Sequence, residues 1–164
     1  MGLSLVIAVV KTITKLNSPR EKRRGLVNKN AMLCKTLDGF LQSKRHELNH
    51  AALKHLVCKT GFSMEDILRK YIRYSSNEKP FDPDLVAGLI HLRKSSMLDD
   101  ANVAEVLNGV SRRIVKEKGP VVMDTTGFTK KGIKRKAAVQ ALFSKLLYLC
   151  EVQQFTHNFI FLQK

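Results

Sequence analysis

Apolar residues recur along this chain at spacings of three and four, which place them on one face of a helix. The clearest stretch begins at Asp99, and its apolar positions are Val103, Val106, Leu107, Val110 and Ile114. Strand-like character is confined to Val121–Met123, which is too short to build a sheet. The pattern therefore predicts an all-α protein.

Cap residues, prolines and glycines divide this pattern into separate helices. Ser18-Pro19 predicts the start of the first helix, Gly61 the end of the second and Asp82-Pro83 the start of the fourth. Ser75–Asn77 is predicted to end the third helix, and Gly119-Pro120 the fifth. Three helices then precede residue 75 and three follow residue 80, which predicts two three-helix units in a stack, plus an N-terminal helix.

One short segment occurs twice with identical internal spacing. The first copy is Thr60-Gly61-Phe62-Ser63 with Ile67 and Arg69-Lys70, and the second is Thr126-Gly127-Phe128-Thr129 with Ile133 and Arg135-Lys136. In each copy the glycine can end one helix, the hydroxyl residue can cap the next, and the Phe and Ile can pack as a hydrophobic staple. Such repetition is typical of stacked helical units, so we expect two equivalent joints.

The length of 164 residues suits one sizeable core and not two. We divide the chain into an N-terminal apolar and basic helix or targeting segment (1–18), a single helical-repeat domain (19–152) and a Phe-rich tail (153–164). The apolar run Leu3–Val10 is too short to cross a bilayer, so no transmembrane segment is expected. The acid-poor, basic start of the chain fits an organelle transit peptide and an ordinary first helix equally well.

Charge is the unusual feature of the composition, because 29 Lys and Arg against 14 Asp and Glu give +15. This surplus favours anionic partners such as nucleic acid, acidic protein surfaces or anionic membrane. Two basic clusters at predicted helix starts are candidates for phosphate contact: Lys130, Lys131, Lys134, Arg135 and Lys136, and Lys22, Arg23 and Arg24. A solvated basic face or a targeting signal is the alternative. The chain has no Trp, which favours phosphate contact over base stacking.

His46-Glu47-Leu48-Asn49-His50 matches H-E-x-x-H, in which two histidines one helical turn apart bind zinc and the glutamate activates water. A third ligand is missing, because His55 lies more than about 100° around the helix from both histidines. We therefore interpret His46 and His50 as a surface pair at the border of an apolar helix face. A small zinc-dependent hydrolase that uses this motif is the alternative function.

Other enzyme motifs are absent from the sequence, including the phosphate loop, the dinucleotide fingerprint and the nucleophile elbow. We therefore expect no enzyme activity, no cofactor and no small-molecule substrate. The cysteines Cys34, Cys58 and Cys150 are widely spaced without a C-x-x-C pair, which predicts buried, reduced thiols.

Three segments in the second half of the chain carry a resemblance to a known family. They are Phe81-Asp82-Pro83-Asp84-Leu85-Val86, Ser96-Met97-Leu98-Asp99-Asp100 and Lys116-Glu117-Lys118-Gly119-Pro120-Val121-Val122-Met123-Asp124. With them, residues 19–152 resemble plant armadillo-like helical-repeat proteins, which are often plastid-associated. The abrupt Phe-rich ending after Val152 departs from a repeat pattern and leaves open that the chain is a shortened form.

The resemblance implies an α-α superhelix that serves as a binding scaffold inside an organelle. Together with the charge, it predicts a non-enzymatic adaptor that uses an inter-helix groove and basic faces. Whether the partner is a protein or RNA stays open. The expected location is intracellular, with the plastid favoured and the mitochondrion or nucleus as alternatives.

Overall fold

The computed structural model of the protein describes residues 18–123 and 130–151. Within these ranges the chain forms six α-helices and no strand. The helices are α1 (Pro19–Ser43), α2 (His50–Thr60), α3 (Met64–Glu78), α4 (Pro83–Ser96), α5 (Asp100–Met123) and α6 (Lys130–Glu151), with a short 3-10 turn at Arg45–Glu47. The all-α prediction is confirmed, with three helices on each side of the α3–α4 connection. Residues 1–17 and the tail from 152 onward lie outside the described residues.

Side-chain caps explain where the helices begin. The Ser18 hydroxyl accepts the backbone N–H of Glu21 at 3.3 Å, and the Asp82 carboxylate accepts that of Leu85 at 2.8 Å. The Ser63 hydroxyl does the same for α3, at 3.2 Å from the N–H of residue 66. Each cap satisfies a backbone donor that has no partner within its own helix. The predicted starts of α1, α3 and α4 are therefore confirmed.

Helix α3 lies at the centre of the assembly, because it packs against each of the other five helices. Its residues Ile67, Leu68, Tyr71 and Ile72 are fully buried or nearly so. They share one apolar core with side chains from neighbouring helices, among them Leu33, Leu37, Leu41, Leu53, Leu56, Val103, Val106, Leu107 and Val110. The last four are positions that the periodicity places on one helix face. Burial of such side chains is the main stabilising contribution to a fold of this kind.

Two predicted helix ends are wrong. Helix α3 continues through Ser75–Asn77, where the Ser75 hydroxyl donates to the carbonyl of Ile72 at 3.2 Å and the Asn77 amide donates to that of Arg73 at 2.7 Å. These polar side chains bond back to their own helix instead of ending it. Helix α5 likewise runs through Gly119-Pro120 to Met123, so the short segment with strand-like character is helical. A proline removes one backbone hydrogen bond, which an established helix can tolerate.

The two joints of the repeated segment are not equivalent. At the first, Gly61 ends α2 in the left-handed conformation with φ of 72°, and Ile67 is buried. At the second, α6 begins directly after Thr129, as predicted, but Ile133 is 52% exposed. Gly127 and Phe128 lie outside the described residues. The prediction of equal joints is therefore wrong at the isoleucine.

The cysteines differ in their surroundings, and all three lie in the described part of the chain without a disulfide. Cys34 and Cys150 are half-buried, whereas Cys58 is exposed, so the prediction of buried thiols is wrong for Cys58. Burial raises the pKa of the Cys34 and Cys150 thiols, and nearby Asp38 raises that of Cys34 further. Both groups therefore stay protonated at neutral pH. In the described ranges, each helix is too short or too polar to cross a membrane.

Candidate binding surfaces

The H-E-x-x-H motif does not lie on one helix. His46 and Glu47 belong to the 3-10 turn, and Leu48 is extended and buried in the core. The Asn49 side chain then caps α2 by accepting the N–H of Ala52 at 2.9 Å, and the helix begins only at His50. A zinc-binding copy of the motif needs both histidines on a continuous helical turn. The interpretation of the histidines as a pair on one helix face is therefore wrong.

The two histidines also face different surroundings. The His46 side chain is 83% exposed, whereas His50 is half-buried and its Nδ1 atom is shielded from solvent. Among the described residues, no group of three or more His, Cys, Asp or Glu side chains is arranged so that it could hold a metal ion. In the described part of the chain, His46 and His50 therefore lack the helical arrangement that a zinc-dependent hydrolase of this motif needs.

The predicted basic clusters lie near the starts of two helices that pack in different parts of the assembly. Lys22, Arg23 and Arg24 are exposed near the start of α1, which packs on α2 and α3. Lys134 and Arg135 are exposed and Lys136 is half-buried near the start of α6, which packs on α3 and α5. The side chains of Lys130 and Lys131 lie outside the described part. Anion binding by either cluster stays a prediction.

A depression that the sequence did not predict lies where α3, α5 and α6 meet. Its volume is about 60 Å³, and its floor is apolar. The floor is formed by Val110, Ile114, Leu142 and Leu146, and Arg73, Arg113 and Glu117 flank it. A single water needs about 10–15 Å³ of a cavity measured in this way, so the depression could hold roughly four waters. One aliphatic side chain, with its three or four carbon atoms, is of similar size.

Positive charge is concentrated beside this depression. We call Arg69, Lys70, Arg73 and Arg113 the α3–α5 arginine face. Arg113 Nε donates to Glu117 Oε1 at 2.6 Å, Arg73 lies 3.8 Å from the same oxygen, and Arg69 pairs with Asp66. The four cations therefore outnumber the two carboxylates that they contact.

The pKa values of Lys70 and Arg73 reflect burial first and the neighbouring positive charges second. Burial lowers the pKa of Lys70, and the neighbouring Arg69, Arg73 and Arg113 lower it further, while Asp66 acts in the opposite direction. Burial also lowers the pKa of Arg73, and Arg113 adds to the effect. A like charge nearby disfavours the charged form of each group. An anion bound at this face would relieve that repulsion.

Little in the sequence indicated the arginine face. Arg69-Lys70 was visible only as part of the repeated segment, whereas Arg73 and Arg113 lie on different helices and share no motif. The i, i+4 spacing of Arg69 and Arg73 places both on the same side of α3, and this was the available signal. The approach of Arg113 depends on the packing of α5 against α3.

A second polar group ties α1 to α3. The Asp38 carboxylate accepts hydrogen bonds from the hydroxyls of Tyr71 at 2.7 Å and Tyr74 at 2.9 Å, and it pairs with the Lys79 ammonium. Burial and the hydrogen bond to Asp38 raise the pKa of Tyr71, and the hydrogen bond to Asp38, followed by burial, raises the pKa of Tyr74 to about 12. Both phenols are thus neutral at neutral pH. The arrangement is a satisfied structural network.

This Asp38 network adjoins a cleft of about 230 Å³ between α1 and α4. Arg45 and Asp84 form an ion pair at the cleft, with 2.8 Å between Arg45 Nη2 and Asp84 Oδ1. Charges of both signs line the cleft, so it lacks the single-sign character of the arginine face.

Comparison with known proteins gives one finding. The family model described as Armadillo-like helical domain-containing protein 5 matches residues 60–151, which is more than half of the chain and includes α3 to α6. No curated protein and no solved structure matches the chain. The matched region contains the helices that form the depression and the arginine face. By this match and its all-α fold, the chain belongs to the family of armadillo-like helical domain-containing protein 5.

Proposed function

We propose that this protein is a non-enzymatic helical scaffold that holds a protein or RNA partner through the groove between α3, α5 and α6 and through its basic faces. The observation that supports this most strongly is the apolar depression flanked by Arg73 and Arg113. Binding surfaces combine an apolar centre with a polar rim in which arginine is enriched. Stacked-helix proteins commonly use the surfaces between their helices in this way.

The absence of catalysis is part of this proposal. The Cys34 and Cys150 thiols and the Tyr71 and Tyr74 phenols all have raised pKa values. Such groups are poor nucleophiles and poor bases at neutral pH, which supports a binding role. Metal analysis of protein purified without a metal-affinity tag tests this. Stoichiometric zinc that disappears in His46→Ala and His50→Ala variants would overturn the proposal in favour of a hydrolase.

The partner class can be decided with a single-stranded RNA oligonucleotide and a series of salt concentrations. One variant carries glutamine at the α6 cluster, namely Lys130, Lys131, Lys134, Arg135 and Lys136. The matched control carries glutamine at the same number of cations near the start of α1, namely Arg20, Lys22, Arg23, Arg24 and Lys29. Because any protein with +15 binds polyanions at low salt, the location and the salt dependence carry the information.

An RNA-binding site at α6 predicts a larger loss of affinity in the first variant than in the control. The slope of log affinity against log salt should also fall by roughly 0.7 for each phosphate that the variant no longer binds. Equal effects in both variants would contradict a specific RNA site and assign the scaffold a protein partner.

We also propose a plastid location, which rests on the resemblance of the sequence to plant armadillo-like helical-repeat proteins, often plastid-associated, and on the basic, acid-poor start of the chain. A fluorescent fusion at the C-terminus of the full chain, imaged in plant cells, tests it. Signal in chloroplasts is expected, and accumulation in mitochondria or the nucleus would contradict it.

A further inference from the structure

The depression between α3, α5 and α6 combines two features that select a ligand. Its floor is aliphatic, and none of the described residues that line it is aromatic. RNA bases bind mainly by stacking on aromatic rings, so this floor suits an aliphatic side chain better than a base. Its flank carries more positive than negative charge, because two arginines, Arg73 and Arg113, share the single carboxylate of Glu117. The ligand that fits both features is apolar and acidic.

The segments of the sequence outside the described residues contain few acidic side chains that could bind at this depression. Residues 1–17 and 152–164 contain no Asp or Glu, and Asp124 is the only acid in residues 124–129. A second copy of the chain carries the same charge of +15 and would be repelled at long range. Charge complementarity therefore favours a different, acidic protein.

We propose that this depression binds a segment of an acidic partner protein in which an aliphatic residue stands beside Asp or Glu. The aliphatic side chain enters between Ile114, Leu142 and Leu146. The carboxylate accepts hydrogen bonds from Arg73 and Arg113, in a geometry where guanidinium and carboxylate can pair through two bonds. The inference rests on the proposed scaffold function and names the chemistry of its partner.

Additional attraction comes from the rest of the arginine face. Lys70 Nζ lies 4.4 Å from the centre of the Phe62 ring, and Arg69 pairs with Asp66. Each of these two cations therefore has a neighbouring side chain that positions it near Arg73. Because the four cations repel one another, a second carboxylate on the partner segment would be stabilised here as well.

Fluorescence anisotropy with labelled synthetic peptides tests the proposal on the full chain. The probe is a peptide of about 10 residues built from Glu-Glu-Leu units, and its comparator has Ser in place of Leu. The test variant is Arg73→Gln with Arg113→Gln. The matched control is Arg20→Gln with Arg23→Gln, which removes the same charge from exposed positions of α1. Circular dichroism of each variant verifies that it is folded.

The double variant at the depression is expected to bind the Glu-Glu-Leu peptide roughly tenfold more weakly, and the control less than about twofold more weakly. The Ser peptide should bind the native protein roughly tenfold more weakly than the Leu peptide. A further variant, Asn77→Phe, places a bulky ring at the edge of the depression and should weaken the Leu peptide alone. It tests the site without removing charge.

Equal loss in the two double variants, or equal affinity of the two peptides, would overturn the acidic-peptide proposal. Tighter binding of a single-stranded RNA of the same charge, lost in the Arg73 and Arg113 variant, would also overturn it and give the site to nucleic acid. These outcomes decide what the depression binds, whereas the metal analysis described above tests separately whether the protein is a non-enzymatic scaffold.

Discussion

The two copies of the repeated segment follow the same sequence pattern and end in different environments. In the first copy Ile67 is 1% exposed, whereas Ile133 at the same place in the second is 52% exposed. Both copies precede a helix start, because α3 begins after Ser63 and α6 after Thr129. The local pattern thus determines where a helix begins, and the neighbouring helices determine what is buried.

The difference continues along the two helices. Tyr71 and Tyr74 of α3 contact Asp38, whereas the equivalent positions of α6 are the exposed residues Ala137 and Gln140. Helix α6 instead buries Val139, Leu146 and Leu149, which lie further from the N-terminus of their helix than Ile67 does in α3. The central position of α3 explains why more of its described side chains are buried than those of α6. Residues at equivalent positions of the two copies therefore differ in their burial and in their contacts.

The largest expected effect contrasts the two isoleucines. Ile67→Ala should lower the free energy of unfolding by about 4 kcal/mol, because it opens a cavity in the core. Ile133→Ala should change it by less than about 0.5 kcal/mol, because the side chain is exposed. Urea denaturation of both variants gives these values. Comparable losses would contradict the difference between the joints.

Phe62→Ala is expected to lower the free energy of unfolding by about 3 kcal/mol, because the ring is buried and packs in the first joint. The loss includes the contact of the ring with the Lys70 ammonium. Phe128→Ala is the equivalent change in the second copy and tests whether that joint is held by its phenylalanine. If neither substitution changed the stability, the repeated segment would have no structural role.

Asp38 bonds to tyrosines of α3, the helix that follows the first copy of the repeated segment. Removal of one of these hydrogen bonds should lower the stability less than the core substitutions above. Tyr71→Phe should lower the free energy of unfolding by about 1.5 kcal/mol, because Asp38 loses a donor and keeps Tyr74 and Lys79. Gln140→Ala, on an exposed position of α6, is the control and should be near neutral. Urea denaturation measures both, and equal values would contradict a stabilising role for the network.

The same network predicts a dependence on alkaline pH. The pKa values of Tyr71 and Tyr74 are raised in the folded protein, so the neutral phenols stabilise it below the unfolded pKa of about 10. This contribution is lost as pH rises above about 10 and the phenols ionise. A variant with both Tyr71→Phe and Tyr74→Phe should show a shallower loss of stability between about pH 10 and 12. An unchanged slope would show that the hydroxyls do not contribute.

The smallest effect concerns the glycine of the first joint. Gly61 has φ of 72°, so Gly61→Ala should destabilise the protein by about 1 kcal/mol. Gly25 lies inside α1 with open space where a Cβ would project, so Gly25→Ala should stabilise by about 0.5–1 kcal/mol. Thermal unfolding distinguishes the two signs. A stabilising Gly61→Ala would contradict the left-handed helix end.

The sequence by itself determined the helical class, the helix starts and most of the buried positions. These depend on contacts within one turn, such as Ser63 with the N–H of residue 66, and on apolar periodicity such as that of Val103 to Val110. The family resemblance likewise followed from sequence, at the level of an armadillo-like helical fold.

Only the tertiary structure decided which helices meet. It extended α3 through Ser75–Asn77, because packing on five neighbours outweighs the weak helix preference of those residues. It separated His46 from His50, because burial of Leu48 and the Asn49 cap interrupt the helix. It also brought Arg113 of α5 to Arg73 of α3. Contacts between residues distant in sequence leave no periodic trace, so one sequence cannot predict such a site.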